Sequence, residues 1–166
     1  MEIHFRKPEP MDGAQVHSLI SRCPPLDTNS LYCNLLQCQD FAATSIVAES
    51  EQGEIIGFIS GYVPPQRTNT LFIWQVALDS NFRGRGLAFE MLERLFSRNS
   101  ALCFMETTIS PSNEASKKLF TGFFSKHHMN YEAQTLFQSG THFHDGHEDE
   151  VLYRAGPAKQ FAPIRA

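Results

Sequence analysis

A glycine-rich turn between a predicted strand and a predicted helix limits the possible folds more than any other feature. The turn, Arg83–Gly86, follows the apolar, β-rich run Thr70–Leu78 and precedes apolar side chains at helical spacing over 87–98. Glycine lets a backbone approach phosphate oxygens, and the free N–H groups that begin a helix direct partial positive charge at the same space. The pattern predicts a phosphate-binding unit, and a turn that uses glycine for geometry alone is the alternative.

Two familiar phosphate-binding motifs can be compared with this turn directly. The triphosphatase pattern Gly-x-x-x-x-Gly-Lys-Ser/Thr is absent, because Gly-Lys followed by Ser or Thr occurs nowhere in the chain. The dinucleotide fingerprint Gly-x-Gly-x-x-Gly is closer, since Gly84-x-Gly86 follows a strand and Glu106 lies near the position of the ribose-binding acid. Phe89 replaces the third glycine, and too little chain remains for a doubly wound sheet. We therefore expect neither class.

The predicted elements follow the order β-α-α-β-β-β-α-β-α-β-β. The β-rich runs predict strands over 3–6, 44–49, 55–62, 70–78, 102–109, 131–137 and 150–154. Apolar periodicity predicts a helix around 16–23 behind an Asp12 cap, and helices over 31–41, 87–98 and 111–124. In the second helix we expect Leu31, Leu35 and Cys38 to form one apolar face. Residues 1–155 are expected to form one domain, and 156–166 a loose C-terminal tail.

Composition and charge exclude several classes of function. A chain of 166 residues with 42% hydrophobic residues can bury a core without disulfides or a structural metal. A net charge of −4 argues against a nucleic-acid-binding protein, which would need a basic surface. No apolar run is long enough for a membrane span or a secretion signal, so we expect a cytoplasmic protein. We expect reduced thiols at Cys23, Cys33, Cys38 and Cys103, whose spacing fits no metal site.

The turn resembles the pyrophosphate loop of a known superfamily. Arg83-x-x-Gly86-x-Ala88 is similar to the Arg/Gln-x-x-Gly-x-Gly/Ala motif of the GNAT N-acetyltransferases, and the element order matches theirs over nearly the whole chain. The resemblance implies an α/β acyl-CoA N-acyltransferase fold, with a mixed, mostly antiparallel twisted sheet flanked by helices. It also implies acetyl-CoA as cosubstrate, bound through Val76, Leu78, Arg83, Gly84, Arg85, Gly86, Leu87, Ala88 and Asn113.

Longer blocks resemble a narrower family within GNAT. The segments CPPLDTNSLYCNLLQC (23–38), GFISGY (57–62), TLFIWQVAL (70–78), ETTISPSNEAS (106–116) and HFHDGHEDEVLYR (142–154) are similar to the L-2,4-diaminobutyrate acetyltransferases of ectoine biosynthesis. This implies direct transfer of acetyl to the 4-amino group of diaminobutyrate, for osmoadaptation, by a homodimer. The alternatives are a non-catalytic acyl-CoA or nucleotide sensor, or a GNAT enzyme for another small diamine or amino acid.

A substrate with two ammonium groups needs acidic partners, and four residues are catalytic candidates. Asp27 is expected either to hold an ammonium or to cap the second helix, and Glu150 to supply a second acid or to lie at a solvated strand end. Trp74 suits a pocket wall or stacking on an ammonium, although core packing is the common role of a strand tryptophan. Tyr32 is a candidate proton donor to the leaving thiolate, or else a surface tyrosine. Phe120 stands where many GNAT enzymes carry that donor.

The late loop combines histidines and acids. His142, His144 and His147, with Asp145 and Glu148, offer ligands suited to zinc or nickel. Direct acetylation of an amine requires no Lewis acid, and the resembled family uses none. We therefore predict no metal, and a solvated loop here.

Overall fold

The computed structural model describes residues 1–159. Its strands and helices are β1 Ile3–Arg6, α1 Gly13–Ser21, α2 Leu31–Gln39, β2 Ile46–Ser50, β3 Ile55–Tyr62, β4 Thr70–Leu78, α3 Leu87–Phe96, β5 Phe104–Ile109, α4 Glu114–Lys126, β6 Tyr131–Phe137 and β7 Glu150–Ala155. This order confirms the predicted one. Of the expected C-terminal tail, residues 160–166 lie outside the described residues.

The strands form one mixed sheet in the order β1-β2-β3-β4-β5-β7-β6. β2 pairs antiparallel with β1 and with β3, and β7 pairs antiparallel with β5 and with β6. β4 and β5 run parallel, with Thr70 opposite Phe104 and Ile73 opposite Thr107. The predicted mixed, mostly antiparallel sheet is confirmed.

The described residues divide into two compact units, and the first comprises 1–62 and 74–98. Its core combines apolar side chains of α1, α2 and β2–β4 with Cys23, namely Val16, Leu19, Ile20, Cys23, Cys38, Val47, Ile55, Phe58 and Ala77. On α3, Leu87, Met91, Leu92, Leu95 and Phe96 are buried. Helical apolar spacing therefore explains both α1 and α3.

The start of α1 differs from the predicted cap. The helix begins directly after Asp12, but the Asp12 carboxylate accepts hydrogen bonds from Arg6 at 2.7 and 2.8 Å and from the backbone N–H of Glu9. Burial favours the neutral carboxyl, yet these hydrogen bonds outweigh it and lower the pKa of Asp12. Because its carboxylate is bound to Arg6, Asp12 does not cap the N–H groups at the start of α1 with its side chain.

α2 ends before the predicted boundary and buries an unexpected face. Its side-chain cap is Ser30, whose hydroxyl accepts from the N–H of Cys33 at 3.0 Å. Leu31 is 44% exposed, so the predicted apolar face through Leu31 is wrong. The helix buries Asn34 instead, which donates to Gln37 at 2.9 Å and is bonded to the His17 ring at 3.0 Å. A satisfied polar contact between α1 and α2 replaces the expected leucine.

The second unit comprises the described residues of 63–73 and 99–159. Its helix α4 buries Phe120, Phe123 and Phe124, and the Phe124 ring lies 5.6 Å from that of Tyr131 on β6. Within β5, Glu106 is 1% exposed and forms ion pairs with Arg67 and Arg154, each at 2.9 Å. This unit thus combines an aromatic core with one buried charged cluster.

The structure also bears on the expected state of the thiols and on membrane spans. All four cysteines are free, and burial raises the pKa of the Cys38 thiol to about 11. None of the described helices has the length and apolar character needed to cross a membrane.

Candidate active site

The turn before α3 has the backbone conformation that its glycines permit. Gly84 and Gly86 have φ values of +76° and +73°, in the left-handed region that side chains with a Cβ rarely adopt. A Cβ placed on either glycine would meet no atom within 4 Å. The two glycines therefore leave open space directly beside the backbone, where a ligand could approach closely.

The residue at the N-cap of α3 is a glycine, which has no side chain to accept from the first N–H groups of the helix. Gly86 is the N-cap and supplies no side-chain hydrogen bond, and the helical ladder starts with Glu90 N–H donating to Gly86 O at 3.0 Å. The N–H groups of Leu87 and Ala88 thus have no acceptor in the helical ladder. Free N–H donors, a helix dipole and open glycine backbone fit a pyrophosphate group.

The two arginines of the turn add positive charge at its exposed surface. Nε of Arg83 donates to the carbonyl of Leu78 at 3.3 Å, and the Arg85 guanidinium lies 5.4 Å from the centre of the Phe82 ring. Both side chains are exposed. The Arg83 contact links the turn to the end of β4, where Val76 and Leu78 are half-buried.

An aromatic cluster is formed by residues of β3, β4 and the segment directly after α2. Trp74 is 43% exposed, so core packing, its common role, is wrong here. The Tyr62 ring meets the Trp74 ring edge-on at 6.0 Å, and Phe41 lies 6.1 Å from Tyr62. An exposed indole supported by a second aromatic ring suits an apolar pocket wall or contact with a cation.

The loop between α1 and α2 presents Asp27 to solvent. Because Ser30 caps α2, the expected alternative role of Asp27 as the cap is wrong. Within residues 1–159 the Asp27 carboxylate has no hydrogen-bond or ion-pair partner, and the residue is exposed. Its backbone carbonyl accepts from the side chain of Gln75 on β4 at 2.9 Å. The structure therefore brings the Asp27 loop against the strand that carries Trp74.

Tyr32 lies on the first turn of α2 and is 70% exposed. This agrees with the surface alternative. Its role as a proton donor stays a prediction.

The candidates of the second unit have partners of their own. Asn113 caps α4, with its side-chain oxygen accepting from Ser116 N–H at 3.1 Å. Glu150 begins β7, with a side chain that is 22% exposed and lies 3.7 Å from Nε2 of His147. Phe120 is 2% exposed and packs against Phe124, so this position serves the core of the unit. The roles predicted for Asn113 and Glu150 stay predictions.

Glu106 cannot act as the ribose-binding acid of a dinucleotide site. Its buried carboxylate accepts hydrogen bonds from Arg67 at 3.0 Å and from Arg154 at 2.9 Å. The Glu106 side chain is 1% exposed and paired with two guanidinium groups, so its carboxylate is not accessible to a ribose hydroxyl. The position of Glu106 therefore no longer supports a dinucleotide-binding site.

The late loop contains internal contacts of its own. Nδ1 of His142 accepts from Gln138 N–H at 2.9 Å, and the rings of Phe143 and His147 stack at 4.1 Å. Across residues 1–159, no group of three or more His, Cys, Asp and Glu side chains is placed to hold a metal ion.

Removal of metal is therefore expected to leave the protein's activity unchanged. Dialysis against a strong chelator, followed by a steady-state assay, should return the starting rate. His144→Ala should also cost little, because this exposed side chain lies in a loop without a metal-ligand group. Loss of turnover that one particular metal restores would contradict this expectation.

Known proteins match this chain over most of its length. The family model of the Acetyltransferase (GNAT) family matches residues 14–123. The L-2,4-diaminobutyric acid acetyltransferase of Methylotuvimicrobium alcaliphilum is 46% identical over 159 residues, covering 95% of this chain and 92% of that protein. The protein of the same description from Streptomyces avermitilis is 44% identical over 158 residues, covering 93% and 88%.

Solved structures give a similar result. The diaminobutyrate acetyltransferase of Paenibacillus lautus, in complex with its substrate L-2,4-diaminobutyric acid and coenzyme A, has a TM-score of 0.89 at 40% identity, and the match covers 99% of each chain. The ribosomal-protein-S18-alanine N-acetyltransferase of Escherichia coli has a TM-score of 0.70 at 14% identity, covering 99% of this chain and 100% of that one. The latter likeness is one of fold alone.

Proposed function

The chain belongs to the acetyltransferase (GNAT) family, and from this premise we propose that it transfers acetyl from acetyl-CoA to the 4-amino group of L-2,4-diaminobutyrate. It is an acyltransferase enzyme, a diaminobutyrate acetyltransferase. The product, N4-acetyl-L-2,4-diaminobutyrate, belongs to ectoine biosynthesis, which supplies a compatible solute for osmoadaptation.

The strongest support for this proposal is a structural match over the whole chain. The Paenibacillus lautus enzyme, whose structure holds diaminobutyrate and coenzyme A, matches 99% of this chain at 40% identity. Such a match over the whole chain is more than a shared fold, because GNAT enzymes at 14% identity match the fold as well. The open glycine turn and exposed Trp74 give this match a physical basis.

The turn and the start of α3 would hold the pyrophosphate of acetyl-CoA. The N–H groups of Leu87 and Ala88 would donate to phosphate oxygens, and Gly84 and Gly86 would allow the close approach. Arg85 adds an exposed positive charge. Along the end of β4, a backbone N–H near Val76–Leu78 would polarise the thioester carbonyl as negative charge develops on its oxygen.

The acceptor amine must lose a proton before it attacks. Its solution pKa is about 10, so it arrives as an ammonium and transfers a proton to a carboxylate or an ordered water. The neutral nitrogen then forms a bond with the acetyl carbon, the carbon–sulfur bond breaks, and the thiolate takes up a proton. Both substrates are bound together, and no covalent enzyme intermediate forms.

Asp27 and Trp74 are the groups of the first unit that suit the substrate ammonium. The Asp27 carboxylate is exposed and, among the described residues, unpartnered, and Trp74 presents an exposed indole. From the resemblance we also propose two further roles. Glu150 supplies a second acid for the substrate, and Tyr32 protonates the leaving thiolate. Since residue 120 is a phenylalanine, α4 offers no hydroxyl at the family's usual position.

We propose that the enzyme works as a homodimer, and the exposure of β6 supports this. All seven residues of β6 are exposed, among them Tyr131, Leu136 and Phe137 at 46%, 38% and 43%, and the strand lies at one edge of the sheet. Apolar side chains on an uncovered edge strand favour pairing with a second chain. A cytoplasmic location is also proposed, because a reducing compartment keeps four free thiols stable.

Light scattering after size exclusion is expected to give twice the 18.8 kDa mass of one chain. Leu136→Lys should shift the mass toward one chain, because a lysine at a buried interface costs desolvation. Met11→Lys, which places a lysine on an exposed apolar residue outside β6, serves as the control. A monomeric wild-type protein would contradict the dimer.

A thiol-release assay tests the proposed activity against its alternatives. The enzyme should release free coenzyme A from acetyl-CoA when diaminobutyrate is added and should remain nearly silent without an amine. A sensor domain would release none. Faster release with another small diamine or amino acid would assign this chain to a different GNAT activity.

A further inference from the structure

We infer that Gln75 is a positioning residue for Asp27. Its side-chain Nε2 donates to the backbone carbonyl of Asp27 at 2.9 Å, and its Oε1 accepts from Nδ2 of Asn29 at 3.4 Å. One amide on β4 thus contacts both ends of the three-residue segment 27–29. The inference rests on the proposed function, in which Asp27 binds the substrate ammonium.

The segment depends on this amide because its own residues provide little packing. Leu26, directly before it, packs against the core of the first unit, and Ser30, directly after it, caps α2. Between them Asp27 and Thr28 are exposed and Asn29 is half-buried. The hydrogen bonds to Gln75 are therefore the contacts that hold the middle of this loop.

β4 is a suitable fixed point for such a contact. Ala77, two residues beyond Gln75, is 1% exposed and lies in the core cluster with side chains of α1 and α2. Gln75 is also the neighbour of Trp74 in the chain. A hydrogen bond from this strand therefore sets the Asp27 backbone at a defined place along the strand that carries the indole.

The consequence concerns the substrate amine rather than the cosubstrate. A carboxylate binds an ammonium best when its position is settled before binding, and a small displacement of a binding group lowers the rate by up to about a hundredfold. A loop freed from Gln75 would still carry Asp27 but would place it over a range of positions. We expect a higher KM for diaminobutyrate and unchanged binding of coenzyme A.

Two variants of Gln75 test this, together with a matched control. Gln75→Met keeps the length of the side chain without its hydrogen bonds, and Gln75→Glu keeps an acceptor for Asn29 but cannot donate to Asp27 when ionised. Each should lower kcat/KM for diaminobutyrate about tenfold, in line with the loss of one hydrogen bond plus some misplacement. Gln39→Met, at the exposed end of α2, should stay within about twofold of the wild type.

Calorimetry with coenzyme A and thermal melting separate positioning from a general loss of structure. Both Gln75 variants should bind coenzyme A within about twofold of the wild type and melt within a few degrees of it. Asn29→Ala, which removes only the 3.4 Å contact, should cost less than either Gln75 variant. Wild-type kcat/KM in folded Gln75→Met would overturn the inference, as would an equal loss of coenzyme A affinity.

A double-mutant cycle tests whether Gln75 acts through Asp27. In an Asp27→Ala background, Gln75→Met should cause almost no further loss, because there is no carboxylate left to place. Additive losses would overturn the inference, and so would a normal rate in Asp27→Ala beside a reduced rate in Gln75→Met. Failure of the proposed function would appear differently, as a wild-type enzyme that does not acetylate diaminobutyrate at all.

Discussion

Gly86→Val is expected to weaken binding of coenzyme A by about a hundredfold or more, the largest effect of any single change proposed for this chain. Gly86 has a φ of +73°, which a β-branched residue adopts only with strain. The backbone would shift to relieve that strain and would displace the first N–H groups of α3. The valine side chain would also enter the open space beside the turn, where a phosphate group approaches.

Gly140→Val is the matched control for this prediction. Gly140 has a φ of +79° and open space at its Cβ position, but it lies in the loop between β6 and β7. The same backbone strain there should leave coenzyme A binding close to normal. Calorimetric titration with coenzyme A compares the two variants. Wild-type affinity in folded Gly86→Val would show that the turn does not bind the pyrophosphate.

Asp27→Ala is expected to lower kcat/KM for diaminobutyrate by about one to two orders of magnitude, with coenzyme A affinity intact. A charge-assisted contact contributes about 1.5–3 kcal/mol, and Asp27 makes no other contact through its carboxylate within the described residues. Asp27→Asn keeps the shape of the side chain and removes its charge, so it should lose nearly as much. Glu150→Ala should show a loss of the same size.

The ratio of product isomers is a second readout for these variants. An acid that binds the 2-ammonium keeps that amine charged and away from the thioester, so its removal should let some 2-acetyl product form. The two isomers can be quantified by chromatography after complete conversion. Near-normal rates with only the 4-acetyl product from both acid variants would remove Asp27 and Glu150 from the substrate site.

The element order and the turn could be predicted because they depend on local signals. β4 spans the predicted residues Thr70–Leu78, and α3 starts at Leu87 as expected, since an apolar run and two glycines with positive φ mark the boundary. Local signals failed where a distant partner competes for a side chain. Arg6 binds the Asp12 carboxylate in place of α1, and α2 buries Asn34 against His17 of α1 while Leu31 is 44% exposed.

The backbone conformation of the glycine turn could be predicted from its sequence, whereas the surroundings of the other candidate residues could be predicted only in part. A tryptophan in an apolar strand suggests core packing, but Trp74 is 43% exposed and lies edge-on to Tyr62 of another strand. The contact of Gln75 with Asp27 joins residues 48 positions apart. No spacing rule connects a strand glutamine to such a loop, so the sequence contained no signal for it.

Product identification after reaction with carbon-13-labelled acetyl-CoA and diaminobutyrate tests directly whether this chain acetylates the 4-amino group. NMR correlates the labelled carbonyl with the protons of the carbon that bears the acylated nitrogen. We expect one product, acetylated at the 4-amino group, with one coenzyme A released for each acetyl transferred. A product acetylated at the 2-amino group, or coenzyme A release without an acetylated amine, would contradict it.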